Sequence, residues 1–121
     1  MKKLMTLVLI ACFATVAFAS VAQATSYTFV GSVNCYQDGS GIPDEQVSLK
    51  WKVVYFAGGP EVTYMATTYT DANGNFSHTW NSQFPVYKSV SAKAQARLVV
   101  HYADNFGPGI NDFHHWKFWC F

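Results

Sequence analysis

Apolar and polar residues alternate with a period of two through most of the chain after residue 28, and no segment there keeps a helical period. The clearest case is Gln46–Phe56. Val47, Leu49, Trp51, Val53 and Tyr55 point one way, and Gln46, Ser48, Lys50 and Lys52 the other, as in a strand with one buried face. Thr28–Tyr36 puts Phe29, Gly31, Val33 and Cys35 on one face. Val62–Thr70 is rich in the Val, Thr and Tyr that suit a pleated surface. Asn75–Trp80 follows with Phe76, His78 and Trp80 together. Ser91–Tyr102 reads as one long strand, with Ala92, Ala94, Ala96, Leu98, Val100 and Tyr102 inward and Lys93, Gln95 and Arg97 outward. His114–Phe121 is the last strand. Gly39, Gly41 and Pro43, then Ala57-Gly58-Gly59-Pro60, then Gly107-Pro108-Gly109 break the pattern between strands. Asp71-Ala72-Asn73-Gly74 supplies a tight turn, because Asn-Gly tolerates the positive φ that hairpins demand. Short strands punctuated in this way predict an all-β domain, a sandwich or small barrel.

The first 24 residues follow a different rule. Lys2 and Lys3 precede an apolar run from Leu4, with no charge between Lys3 and Asp38, and Ala22-Gln23-Ala24 ends it with small residues at −3 and −1. That is the order of a cleavable signal peptide, so residues 1–24 are expected to be removed and residues 25–121 to form the domain. The run is long enough for a membrane anchor, but the A-x-A ending favours cleavage and leaves no stable membrane span. Ala17-Phe18-Ala19 is a second cut site. Leu9-Ile10-Ala11-Cys12 resembles a lipobox, which would shorten the apolar region to eight residues. The Met-Lys-Lys start is bacterial in style, and a secreted or periplasmic destination follows.

Loss of Lys2 and Lys3 leaves six basic residues against seven acidic ones. Such a balance gives no electrostatic footprint for nucleic acid. Two cysteines remain, Cys35 and Cys120, and an even count in an exported chain predicts a disulfide. It would close a loop of about 85 residues, for which chain entropy suggests about 4–5 kcal/mol. Nineteen of the aromatic residues fall after the leader, more than a small core needs.

Val30-Gly31-Ser32-Val33, Gly41-Ile42-Pro43 and Val47-Ser48-Leu49 resemble the opening of a transthyretin-like or carboxypeptidase-regulatory-like domain. Thr68-Tyr69-Thr70-Asp71-Ala72-Asn73-Gly74-Asn75-Phe76 resembles the hairpin those domains share. The resemblance spans residues 28–76. It implies an immunoglobulin-like sandwich of about six or seven strands, usually an adhesive, structural or ligand-binding accessory. The enzymatic relatives hydrolyse 5-hydroxyisourate and end in Tyr-Arg-Gly-Ser. This chain ends Phe118-Trp119-Cys120-Phe121, so that activity is not expected.

Motifs with built-in chemistry are few. No Gly-x-Ser-x-Gly elbow, HExxH pair or phosphate-binding glycine loop occurs. The seven carboxylates fall mostly in turns, where Asp is favoured for its backbone hydrogen bonds. Asp71, Asn73 and Asn75 imitate the start of a calcium loop, but the glycine comes at the fourth position and Ser82 stands at the twelfth, so the hairpin turn is preferred. His101 and His114 or His115 would meet if the last two strands formed a hairpin, and two imidazoles so placed could hold zinc or copper. In the C-terminal run, Trp116 and Phe118 take one face and Trp119 and Phe121 the other. Either this strand is buried on both sides, or Trp116, Trp119 and Phe121 contribute an aromatic patch for a partner. A terminal Phe is also seen in outer-membrane barrel strands, but six or seven strands are too few for one.

These observations lead to a non-enzymatic exported module that needs no cofactor and binds glycan or protein at the cell surface or in the periplasm. A periplasmic metal-binding protein using His101, His114 and His115 is the alternative, and a small hydrolase or hydrolase inhibitor the third.

Overall fold

The computed structural model describes residues 25–120. The leader, its cleavage site and Phe121 lie outside the described residues. The described chain is all-β, with seven strands: β1 (Thr25–Cys35), β2 (Gln46–Val54), β3 (Val62–Tyr69), β4 (Asn75–Ser82), β5 (Lys88–Ala96), β6 (Val99–Ala103) and β7 (Gly109–Phe118). They form two sheets, ordered β4-β1-β7 and β3-β2-β5-β6, packed as a sandwich. Among the described residues no helix is long and apolar enough to cross a membrane.

The alternation becomes the core directly. Val47, Leu49, Trp51 and Val53 of β2 meet Phe29 and Val33 of β1 across the interior, with Phe76, Ala92, Ala94, Phe106 and Trp116 filling around them. Phe29 stacks at a tilt on Trp51, 5.2 Å between centroids, and edge-on to Phe106 and Phe113. Burial of rings this large is the main stabilising term, and truncating one to alanine typically costs about 3–5 kcal/mol.

Two strands differ from the sequence pattern. Ser91–Tyr102 is two strands, not one. Arg97 and Leu98 adopt positive φ, 45° and 69°, and turn the chain back in two residues. Val99 then pairs with Ala96 and His101 with Ala94, so β6 faces His101 inward and turns Val100 and Tyr102 outward. Leu98, expected inside, is 88% exposed at the turn. Neither turn residue is Gly or Asn, so no breaker marked the site. The second difference lies in β7, which starts at Gly109. Its register against β1 slips between Val30 and Gly31, with Val30 opposite Asp112 and Gly31 opposite His114. Phe113 is the extra residue of this bulge, and it packs in the core next to His114.

β1 and β7 run parallel, and Cys35 lies opposite Phe118. Cys35 and Cys120 are disulfide-bonded with Cα atoms 5.5 Å apart, as their count predicted. Beside the bond, the Gln37 carboxamide accepts from the Cys120 amide at 3.0 Å and donates back to its carbonyl. Arg97 closes the same end, 2.7 Å from the Glu45 carboxylate and over the Phe118 ring.

The segments 41–43 and 71–75 meet backbone to backbone. The Val33 amide donates to the Gly74 carbonyl, and the Ile42 amide to the Val33 carbonyl. A Cβ on Gly41 would fall within 1.9 Å of the Asn73 carbonyl oxygen, so only glycine permits the approach. Gly74 alone takes positive φ there, 80°, while one Asp71 carboxylate oxygen accepts from the Asn73 and Asn75 amides. That carboxylate therefore braces the turn, in keeping with the hairpin reading.

Candidate functional site

Among the described residues the candidate C-terminal aromatic patch is divided between the core and the surface. Trp116 is 2% exposed in the core, and its indole N–H donates to the Val99 carbonyl at 3.2 Å. Trp116 is thus a correction to the patch: the bulge at Phe113 fixes the phase of β7 so that His114, Trp116 and Phe118 turn inward. Trp119 is exposed and rests against Tyr36, 4.9 Å between centroids. Phe121 lies outside the described residues.

The histidines divide. His101 and His114 meet edge to face at 4.4 Å, but across the sandwich rather than along a hairpin, since β6 and β7 belong to different sheets. Burial lowers the His101 pKa from its usual value, and the neighbouring His114 lowers it further. The His114 Nε2 is buried without a hydrogen-bond partner. His115 points the opposite way, to the outer face. Among the described residues no group of three or more His, Cys, Asp or Glu is placed to hold a metal ion.

On that outer face Ser32 Oγ and His115 Nδ1 share a hydrogen bond of 2.5 Å, and His115 Nε2 lies 3.2 Å from Asp112 Oδ1. His115 and Asp112 line a shallow hollow of about 610 Å³ with Tyr69, Asp71 and Ser77, and Ser32 is buried behind His115. The order Ser–His–Asp suggests acyl transfer, which also needs donors for an oxyanion. Ser32 sits on the central strand, and ladders to β4 and β7 take up the backbone groups around it. The trio is well suited to orient a polar ligand and poorly suited to stabilise a tetrahedral intermediate.

A second hollow combines more binding chemistry. β3 and β4 are edge strands of opposite sheets joined by the 70–74 turn. Near the turn they are held together, with Thr68 Oγ1 donating to the Ser77 carbonyl at 3.3 Å. At their far ends a cleft of about 590 Å³ lies between them, lined by Tyr55, Val62, Tyr64, Trp80, Asn81, Gln83 and Phe84. Its volume falls in the range typical of small-molecule sites. Tyr64 and Trp80 lie 4.8 Å apart, and Tyr55 meets Phe84 edge-on at 6.4 Å. Trp51 backs both Tyr64 and Trp80 from the core, and its indole Nε1 is buried with no hydrogen-bond partner. The Tyr55 and Tyr64 hydroxyls are 2.6 Å apart. This bond, then burial, pushes the Tyr64 pKa up to about 12. Phe84 is 64% exposed at the mouth.

None of these cleft residues was singled out by the sequence pattern as a site. The surplus of aromatics was the available signal, and it did not say which rings stay outside. Compared with known proteins, the chain matches no family model, and no curated protein matches it.

Proposed function

We propose that this is an exported binding module that takes a glycan in the aromatic cleft between β3 and β4. The observation that carries the reading is the lining itself: four rings, two tyrosyl hydroxyls and two carboxamides around one open cleft. Sugar rings present apolar C–H faces and hydroxyl edges. Aromatic rings with a polar tip match the first, and Asn81 and Gln83, each both donor and acceptor, match the second. Export is supported by the leader pattern and is consistent with the disulfide, which persists in oxidising compartments. A transthyretin-like kinship remains part of the proposal, supported by the close packing of Gly41 against the Asn73-Gly74 turn.

A glycan array followed by titration of any sugar bound tests the reading. Phe84→Ala and Gln83→Ala sit at the exposed mouth and spare the core. Each is expected to weaken binding by about tenfold, equivalent to about 1.4 kcal/mol. No sugar bound, or equal binding by both variants, would remove the reading. The β5–β6 turn and the outward side of β6, with exposed Leu98, Val100 and Tyr102, would then be the surface left for a protein partner.

A further inference from the structure

The outer face of the four-stranded sheet gathers most of the positive charge. Residues 25–121 carry six cationic side chains. Four of them, Lys50, Lys52, Lys88 and Lys93, stand on β2 and β5, the two central strands. Lys50 lies directly opposite Lys93, Lys52 opposite Ser91, and Lys88 opposite Val54. Among the described residues none of the four is ion-paired: the ion pairs there are Arg97–Glu45 and His115–Asp112. Like charges directly opposite on a sheet face are destabilising. Lys50 and Lys93 therefore repel each other across the pair, and an anion from outside would relieve that repulsion.

The shape of the face is specific too. Lys50, Lys52, Ser91, Lys93 and Tyr102 enclose a notch of about 30 Å³. That is close to one water's share of liquid volume, enough for an oxygen of an anionic group. Beside it a shallow trough of about 330 Å³ continues between Lys50, Met65 and Lys93, with Ser48, Thr67 and Gln95 along it. Ammonium groups next to hydroxyl and carboxamide side chains match a polymer bearing both anions and hydroxyls.

We infer that this face binds an acidic polysaccharide, with Lys50, Lys52 and Lys93 holding a uronate or sulfate group and the trough receiving the adjoining sugar. Lysine suits the role, as a compact point charge with three donors. A nucleic acid would be expected to require a wider basic surface than this, and a bilayer an apolar protrusion rather than a trough. The face is separate from the aromatic cleft and does not depend on it.

Full-length mature protein is titrated with polygalacturonate, dextran sulfate, uncharged dextran, phosphatidylserine vesicles and duplex DNA, at low and at high salt. Binding to polygalacturonate or dextran sulfate is expected, weakening as salt screens the charges, whereas any binding of uncharged dextran in the cleft should not respond to salt. Lys50→Gln/Lys93→Gln should reduce that binding at least about tenfold. It should also keep or raise the melting temperature, because a repulsion is removed, and leave any neutral-sugar binding in the cleft unchanged. Lys50→Arg/Lys93→Arg should retain polyanion binding. No binding to either acidic polymer, equal binding by the glutamine variant, or tighter binding to vesicles or DNA would overturn the inference.

Discussion

His101 faces inward from β6 because its strand is entered through a two-residue turn, and there it meets His114 and lies 4.5 Å from the Trp116 ring. Burial disfavours its charged form. In the unfolded chain the same imidazole titrates near 6.5, while in the fold it takes up a proton only at lower pH. Below 6.5 the unfolded state therefore binds more protons, and the stability present above that pH is lost as pH falls through the folded value. Melting temperature should drop across this acid window, and His101→Gln should flatten that part of the profile. A profile unchanged by the substitution would show that the pair does not govern it. The same residue illustrates what was legible at this scale. A hairpin of the last two strands would have brought His101 to His114 or His115; that His114 is the inward one of the two is set by the bulge in β7, and the meeting is across the sandwich.

At the scale of elements, the β5–β6 turn holds the most unfavourable backbone in the described chain. Arg97 and Leu98 both occupy the left-handed region, which costs a residue with a side chain roughly 1–2 kcal/mol. Arg97 is tied to Glu45 and Phe118, whereas Leu98 projects into solvent. Leu98→Gly should remove the strain at Leu98, partly offset by the extra freedom of glycine in the unfolded chain. A net gain of about 0.5–1 kcal/mol is expected, a rise of a few degrees in Tm, measured by thermal unfolding. A loss of stability would mean that the turn residues hold β6 by contacts rather than by backbone preference. Periodicity could not reveal this turn. Alternation runs from Ala92 to Leu98 and resumes after Val99, so a single apolar residue out of phase is its only interruption before Tyr102, and a two-residue reversal needs no glycine when the flanking ladder is strong.

At the scale of the molecule, the disulfide and the parallel pairing of β1 with β7 join the first strand to the last. Reduction should loosen the whole sandwich rather than one loop, because the bond restrains a loop of about 85 residues. Cys35→Ser and Cys120→Ser are each expected to cost about 2–5 kcal/mol in denaturant unfolding, and the double variant no more than either alone. The protein from its native compartment should have the mass of residues 25–121 less two hydrogens. A mass retaining the leader, or two free thiols per chain, would contradict export or the bond. The aromatic surplus also acquires meaning only at this scale: Trp116 and Phe106 fill the core, while Tyr64, Trp80 and Phe84 border a cleft formed where two edge strands part.

The sequence by itself determined the class of fold, most strand positions and the cysteine pair. A two-residue period is written locally, residue by residue, and an even thiol count needs no geometry. It also placed Gly41 and the Asp71–Gly74 turn as breakers. What only the tertiary structure decided was which faces and edges oppose one another. The inward pairing of His101 with His114, the burial of Trp116, the aromatic cleft between β3 and β4 and the lysine face across β2 and β5 each join residues from different strands, and in the first three from opposite sheets. Their meeting depends on sheet order, register and one bulge, none of which leaves a local mark in the chain.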